Sequence, residues 1–145
     1  MIGLIQRVSE ARVAVAGEVT GEIGRGLLAF VAVHRDDGDK DVVRLAERIL
    51  TYRVFPDAEG RMNRSLLDDE LGLLLVPQFT LAADTRKGTR ASFTKAAPPA
   101  MGEAYFDRLV RICRERLETV EIGVFGANMQ VSLTNDGPVT FWLES

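Results

Sequence analysis

Two runs constrain this chain more than anything else in it: Leu27-Leu28-Ala29-Phe30-Val31-Ala32-Val33 and Leu71-Gly72-Leu73-Leu74-Leu75-Val76, neither of which holds a polar side chain. A strand with one wet face alternates, so the first run predicts a central strand buried on both faces. The second predicts another strongly apolar strand, ended by Pro77. A sheet with such strands needs helices to cover it, and two helical periodicities are present. From Lys40 to Arg53, Val42, Leu45, Ala46, Ile49 and Leu50 fall on one face, with Asp39 as the expected N-cap. Pro98-Pro99 opens a second helix reaching about Leu117, with Tyr105, Phe106, Leu109, Val110, Cys113 and Leu117 on its apolar face.

The remaining periodicity is that of strands. Ile2 to Val8 and Ala11 to Val15 read as two strands, and Ala16-Gly17-Glu18 turns the chain back into Glu18–Ile23. Pro56 to Gly60 is a turn, and Thr119 to Val124 a strand followed by a bend at Phe125-Gly126-Ala127-Asn128. Met129–Thr134 and Val139–Leu143 alternate on either side of Asn135-Asp136-Gly137-Pro138, which predicts a closing hairpin with that tetrapeptide as its turn. Residues 82–99 form a long irregular stretch, a length that marks a functional or mobile loop. The expected architecture is a mixed α+β (α/β) fold in one domain, residues 1–145. It is a curved, barrel-like mixed sheet made of two strand-plus-helix halves, with the helices packed outside.

Composition narrows the function by exclusion. The 145 residues are 46% hydrophobic and 27% charged, as in an ordinary globular protein. No apolar run is long enough to cross a bilayer, and residues 1–20 lack a signal-peptide core, so the cytoplasm is expected. The single cysteine, Cys113, rules out an internal disulfide or a cysteine metal cluster and is expected as a small buried hydrophobe. Lys and Arg number 18 against 21 Asp and Glu, a net charge of −3, which argues against a broad phosphate-binding face and against DNA as a partner. The concentrated positive charge is local, at Arg86, Lys87, Arg90 and Lys95.

Side-chain catalysis finds few candidates. A Ser-His-Asp or Cys-His catalyst needs a histidine, and the only one, His34, opens a polar loop far in sequence from the other candidates. The chain has no Gly-x-Ser-x-Gly elbow, His-Glu-x-x-His helix or Walker loop. Asp68-Asp69 reads as a solvated turn; no metal and no organic cofactor is indicated. What remains is backbone. Pro77 stops a strand, and Gln78-Phe79-Thr80 then present consecutive N–H groups suited to an oxyanion hole. Thr80 is either a donor or, in a competing reading, the nucleophile of an esterase or amidase on small D-amino acid derivatives. A third reading is a non-catalytic nucleic-acid-binding module using the basic loop.

The pair Gln78-Phe79-Thr80-Leu81 and Asn135-x-Gly137-Pro138-Val139-Thr140, in that order, resembles the D-aminoacyl-tRNA deacylases, and the resemblance runs from Met1 to the last strand. It implies a tRNA-editing hydrolase that cleaves the ester of D-aminoacyl-tRNA, and of glycine mischarged on tRNA(Ala), at the 3′ end. It further implies a homodimer whose active site lies at the interface. Gln78, Phe79 and Thr80 would surround the scissile ester, while Gly137 and Pro138, through a cis peptide, would project into the partner's site and exclude an L side chain. Phe125 and Met129 would line the pocket for the terminal adenine, and the substrate's 2′-OH would replace a protein base. One position departs from the pattern: Pro77 stands where the family has Ser. A related animal branch that edits L-alanyl-tRNA also has proline there, but carries Ala in place of Phe79 and Thr in place of Gly137. Phe79 and Gly137 therefore align this chain with the D-specific group.

Overall fold

The computed structural model describes all residues, 1–145. Its strands are β1 Ile2–Val15, β2 Glu18–Ile23, β3 Gly26–Ala32, β4 Phe55–Pro56, β5 Met62–Arg64, β6 Gly72–Pro77, β7 Val120–Ile122 and β8 Gln130–Glu144. The helices are α1 Asp39–Thr51, α2 Leu66–Asp69 and α3 Pro99–Arg116, and a 3-10 turn spans Phe79–Ala82. The main sheet runs β2-β1-β3-β6-β7, with β8 on β1 as well. β3, β6 and β7 are parallel neighbours; every pairing with β1 is antiparallel. The sheet is mixed and nearly closed, as the sequence predicts.

The two apolar runs are covered on both faces. Leu27, Ala29, Val31, Leu73 and Leu75 point toward the helices, where they meet Leu45, Ile49, Phe106, Leu109 and Cys113 in the larger core. Their alternates Leu28, Leu74 and Val76 point into the barrel and meet Val8, Ala11, Val13 and Ile23. A period of two is what sends neighbours to opposite cores. The parallel strands approach closely at one end: a Cβ on Gly26 would stand 1.8 Å from the Gly72 carbonyl oxygen. No helix is long and apolar enough to cross a membrane.

α1 buries Val42, Leu45, Ala46, Ile49 and Leu50, the face expected. Its N-cap is Gly38 rather than Asp39. Asp41, inside the first turn, accepts the Gly38 N–H at 2.8 Å, which leaves Asp39 free to pair with Arg108 of α3. The one-turn α2 was not expected, because four residues show no helical period; its Ser65 N-cap exchanges hydrogen bonds with Asp68.

Two expectations fail together. Ile2–Val8 and Ala11–Val15 are one strand, and the final hairpin does not form. β8 is a single strand lying antiparallel to β1, from Ile2↔Glu144 to Ala14↔Gln130. Val8 pairs with Asn135 and Gln6 with Thr140, so residues 136–139 bulge out of a strand that then resumes its course. A glycine-proline segment between alternating runs suits a bulge as well as a turn. The long β1 decides, because it offers an edge to both halves of β8.

Candidate active site

β6 carries the chain to Pro77, which stands opposite Val31 of β3, and Gln78 closes the ladder by donating its N–H to the Val31 carbonyl at 2.8 Å. The 3-10 turn begins immediately. Helical first turns leave their N–H groups without acceptors, and the amides of Phe79 and Thr80 donate to no group within the chain. Two adjacent free amides at the end of a rigid strand can donate hydrogen bonds to a developing oxyanion. The Thr80 hydroxyl accepts from Gln78 Nε2 at 2.5 Å, and no titratable group bonds to it.

Hollows lie on both sides of this segment. The larger, about 460 Å³, is walled by Val31, Phe79, Phe93, Pro98, Phe106 and Phe125 among others, with Arg35 its one charged lining residue. The smaller, about 300 Å³, is formed by Pro77, Gln78 and Phe79 against Phe125, Met129 and Val131. Pro77, Gln78, Phe79, Phe125 and Gly126 border both. Glycines make room for these side chains: a Cβ on Gly123 would sit 2.8 Å from the Met129 sulfur, and one on Gly102 3.4 Å from Phe125 Cζ. The exposed ring of Phe79 stacks at a tilt on Phe93, centroids 5.1 Å apart.

Of the residues predicted from sequence, Gln78, Phe79, Phe125 and Met129 thus come together around one hollow. Thr80 is adjacent through Gln78 but lines neither hollow. Gly137 and Pro138 line neither hollow: they sit in the bulge of β8, where that strand runs along β1. Their peptide bond is cis, and Gly137 has φ +146°, a conformation favouring glycine. Asn135 ties the bulge from within, accepting the Val139 N–H at 2.7 Å and donating to Thr140 Oγ1 at 2.8 Å. Arg7 ties it from β1, donating from Nε to the Asp136 carbonyl at 2.8 Å and from Nη1 to the Val54 carbonyl at 2.7 Å.

Sequence reasoning missed Arg7, Asn135 as a clamp, and Phe93. Nothing local signals them, since each acts on a segment remote in sequence or through its own bulge. His34 lines neither hollow; its backbone N–H donates to Asp37. Cys113 is buried and its thiol is pushed up to about 12 by desolvation, which makes it inert in the core as expected. No group of three or more His, Cys, Asp or Glu side chains converges to hold a metal ion.

Residues 4–144 match the family model described as D-Tyr-tRNA(Tyr) deacylase. A D-aminoacyl-tRNA deacylase of Alkalilimnicola ehrlichii is 66% identical over 145 residues, covering 100% of this chain and 97% of the relative. One from Pseudomonas aeruginosa is 59% identical, with 100% of both chains covered. Among solved structures, one titled "c-Myc DNA Unwinding Element Binding Protein" superposes with a TM-score of 0.95 at 37% identity, over 100% of this chain and 99% of its own. A probable eukaryotic D-amino acid tRNA deacylase shares the fold at a TM-score of 0.87 and 18% identity, over 99% and 98% of the two chains. With its whole length matched in sequence and its fold matched in space, the chain belongs to the D-Tyr-tRNA(Tyr) deacylase family.

Proposed function

We propose that this chain is a tRNA-editing hydrolase of the cytoplasm that cleaves the ester between a D-amino acid and the 3′-terminal adenosine of tRNA, releasing the amino acid and intact tRNA. The observation that carries the reading is the family match from residue 4 to 144. The free amides of Phe79 and Thr80 receive the carbonyl oxygen as it becomes an oxyanion, a role worth several kcal/mol when donors are pre-placed. Gln78 orients Thr80, and Phe125 and Met129 hold the terminal adenine, an aromatic and a thioether being good partners for a base. The substrate's own 2′-OH supplies the proton relay. This agrees with the absence of a titratable partner at Thr80.

The reading includes a homodimer with Gly137 and Pro138 of one subunit reaching the site of the other. Two observations support it. In one chain Gly137 and Pro138 line neither hollow at the Phe79 turn, which favours their action in trans. β8 also leaves Phe141 and Trp142 exposed, at 37% and 49%, an apolar surface of the kind a second copy covers. There the Gly137 and Pro138 backbone fills the space an L side chain needs, while glycine still fits, so Gly-tRNA(Ala) is a second substrate.

The test is release of amino acid from D-Tyr-tRNA, L-Tyr-tRNA and Gly-tRNA(Ala) by the purified protein, with its mass in solution measured alongside. Release from the D and glycyl esters but not the L ester, by a dimer, is expected. Equal release from D and L esters would refute the chiral role of the bulge, and a fully active monomer would refute its action in trans.

A further inference from the structure

The irregular stretch after the Phe79 turn plays no part in the ester chemistry, yet it is built onto that site. From Thr85 to Gly102 the chain carries Arg86, Lys87, Arg90 and Lys95 and no carboxylate. A two-bond bridge between Asp84 and Ser92 folds it into a small hairpin. Phe93 then packs on Phe79, and the Lys95 carbonyl accepts the Arg35 N–H at 3.0 Å. Arg86 is occupied by Asp84, Nη2 to Oδ2 at 2.5 Å. Lys87, Arg90, Lys95 and Arg35 form no ion pair and are exposed. Three unpaired cations thus stand on the loop whose Phe93 and Ala96 wall the larger hollow, and a fourth, Arg35, lines it, in a chain whose net charge is −3.

We infer that Lys87, Arg90 and Lys95, with Arg35 at the hollow's rim, bind the phosphates of the single-stranded RNA end that leads into the active site. The inference rests on the deacylase reading and adds the surface that grips the nucleic acid. Charge complementarity identifies the occupant: a basic segment free of carboxylates over residues 85–102, beside the ester site of an otherwise acidic protein, suits a polyanion whose last nucleotide lies in that site. The segment is short and the adjoining hollow apolar, which suits a flexible single strand of few phosphates better than a duplex.

The experiment compares kcat/KM for D-Tyr-tRNA and for D-tyrosyl-adenosine, which has no phosphate, between 50 and 200 mM salt. With four cations each releasing counterions at a single strand, the tRNA rate is expected to fall ~50-fold over that range, and the log–log slope to shrink by about 2 in a Lys87→Gln, Arg90→Gln, Lys95→Gln variant. The nucleoside ester is expected to show little salt dependence, so the variant lowers the ratio of tRNA to nucleoside rates. A control removing Lys40, Arg44 and Arg111, exposed cations on α1 and α3, is expected to keep the wild-type slope. If the loop variant keeps the wild-type slope, or if the control loses as much of it, the inference is overturned. Failure of the wild type to hydrolyse either substrate would instead refute the deacylase reading.

Discussion

Thr80→Val separates catalysis by backbone from catalysis by a threonine nucleophile. Valine has nearly the shape of threonine and keeps its main-chain N–H, so the proposed oxyanion donor survives. What goes is one hydroxyl, which in the structure accepts a hydrogen bond from Gln78 Nε2 at 2.5 Å. Thr80 is exposed, so no buried partner is stranded, and the loss is that of an ordinary neutral hydrogen bond, ~0.5–1.5 kcal/mol. If all of it is expressed in the transition state, the rate falls about 2- to 13-fold. Removing a true nucleophile costs on the order of 10⁶. The assay is single-turnover deacylation of D-Tyr-tRNA with enzyme in excess, which reads the chemical step free of product release. A loss beyond about 10³ would refute the backbone mechanism. It would make the Thr80 hydroxyl the nucleophile.

Three further perturbations test other parts of the molecule. Arg7→Ala removes the donor to the carbonyl of buried Val54 and the anchor at Asp136; stability is expected to fall by ~1–3 kcal/mol, read by urea unfolding, together with lower discrimination between D and L esters. Unchanged discrimination would show that the bulge holds its shape without Arg7. Cys113, with its thiol pushed up to about 12 by burial, should resist iodoacetamide at pH 8, where a fraction of roughly 10⁻⁴ is thiolate, and react only on unfolding; rapid native labelling would mean that α3 opens locally. The Asp41 carboxyl is lowered below its ordinary 3.8, first by the Gly38 N–H and then by the Ser145 hydroxyl. A pKa depressed by folding contributes stability above the unfolded value, and that contribution is lost as the pH falls through the folded one. Wild type should therefore exceed Asp41→Asn in stability at pH 6, and the gap should close as the pH drops below 3.8; a gap constant with pH would assign the effect to geometry alone.

Local pattern was enough for much of this chain. The two uninterrupted apolar runs dictated strands with both faces covered, and the 3.6-residue period of Val42 to Leu50 and of Tyr105 to Leu117 dictated the helices that cover them. Pro77 followed by Gln78-Phe79-Thr80 marked where a strand stops and amides are set free, because proline and the end of a run are read without knowing any partner. The tertiary structure decided everything that depends on which edge meets which. Asn135 to Pro138 is a bulge and not a turn because β1 pairs with β8 on both sides of it, a choice between two edges that alternation leaves open. Arg7 reaches Asp136 across 129 positions, and Phe93 lands on Phe79 only once the loop has closed. Periodicity reports the face a residue turns to its neighbours in the chain, whereas a site is assembled from loop closures between distant segments, whose outcome depends on the whole sheet.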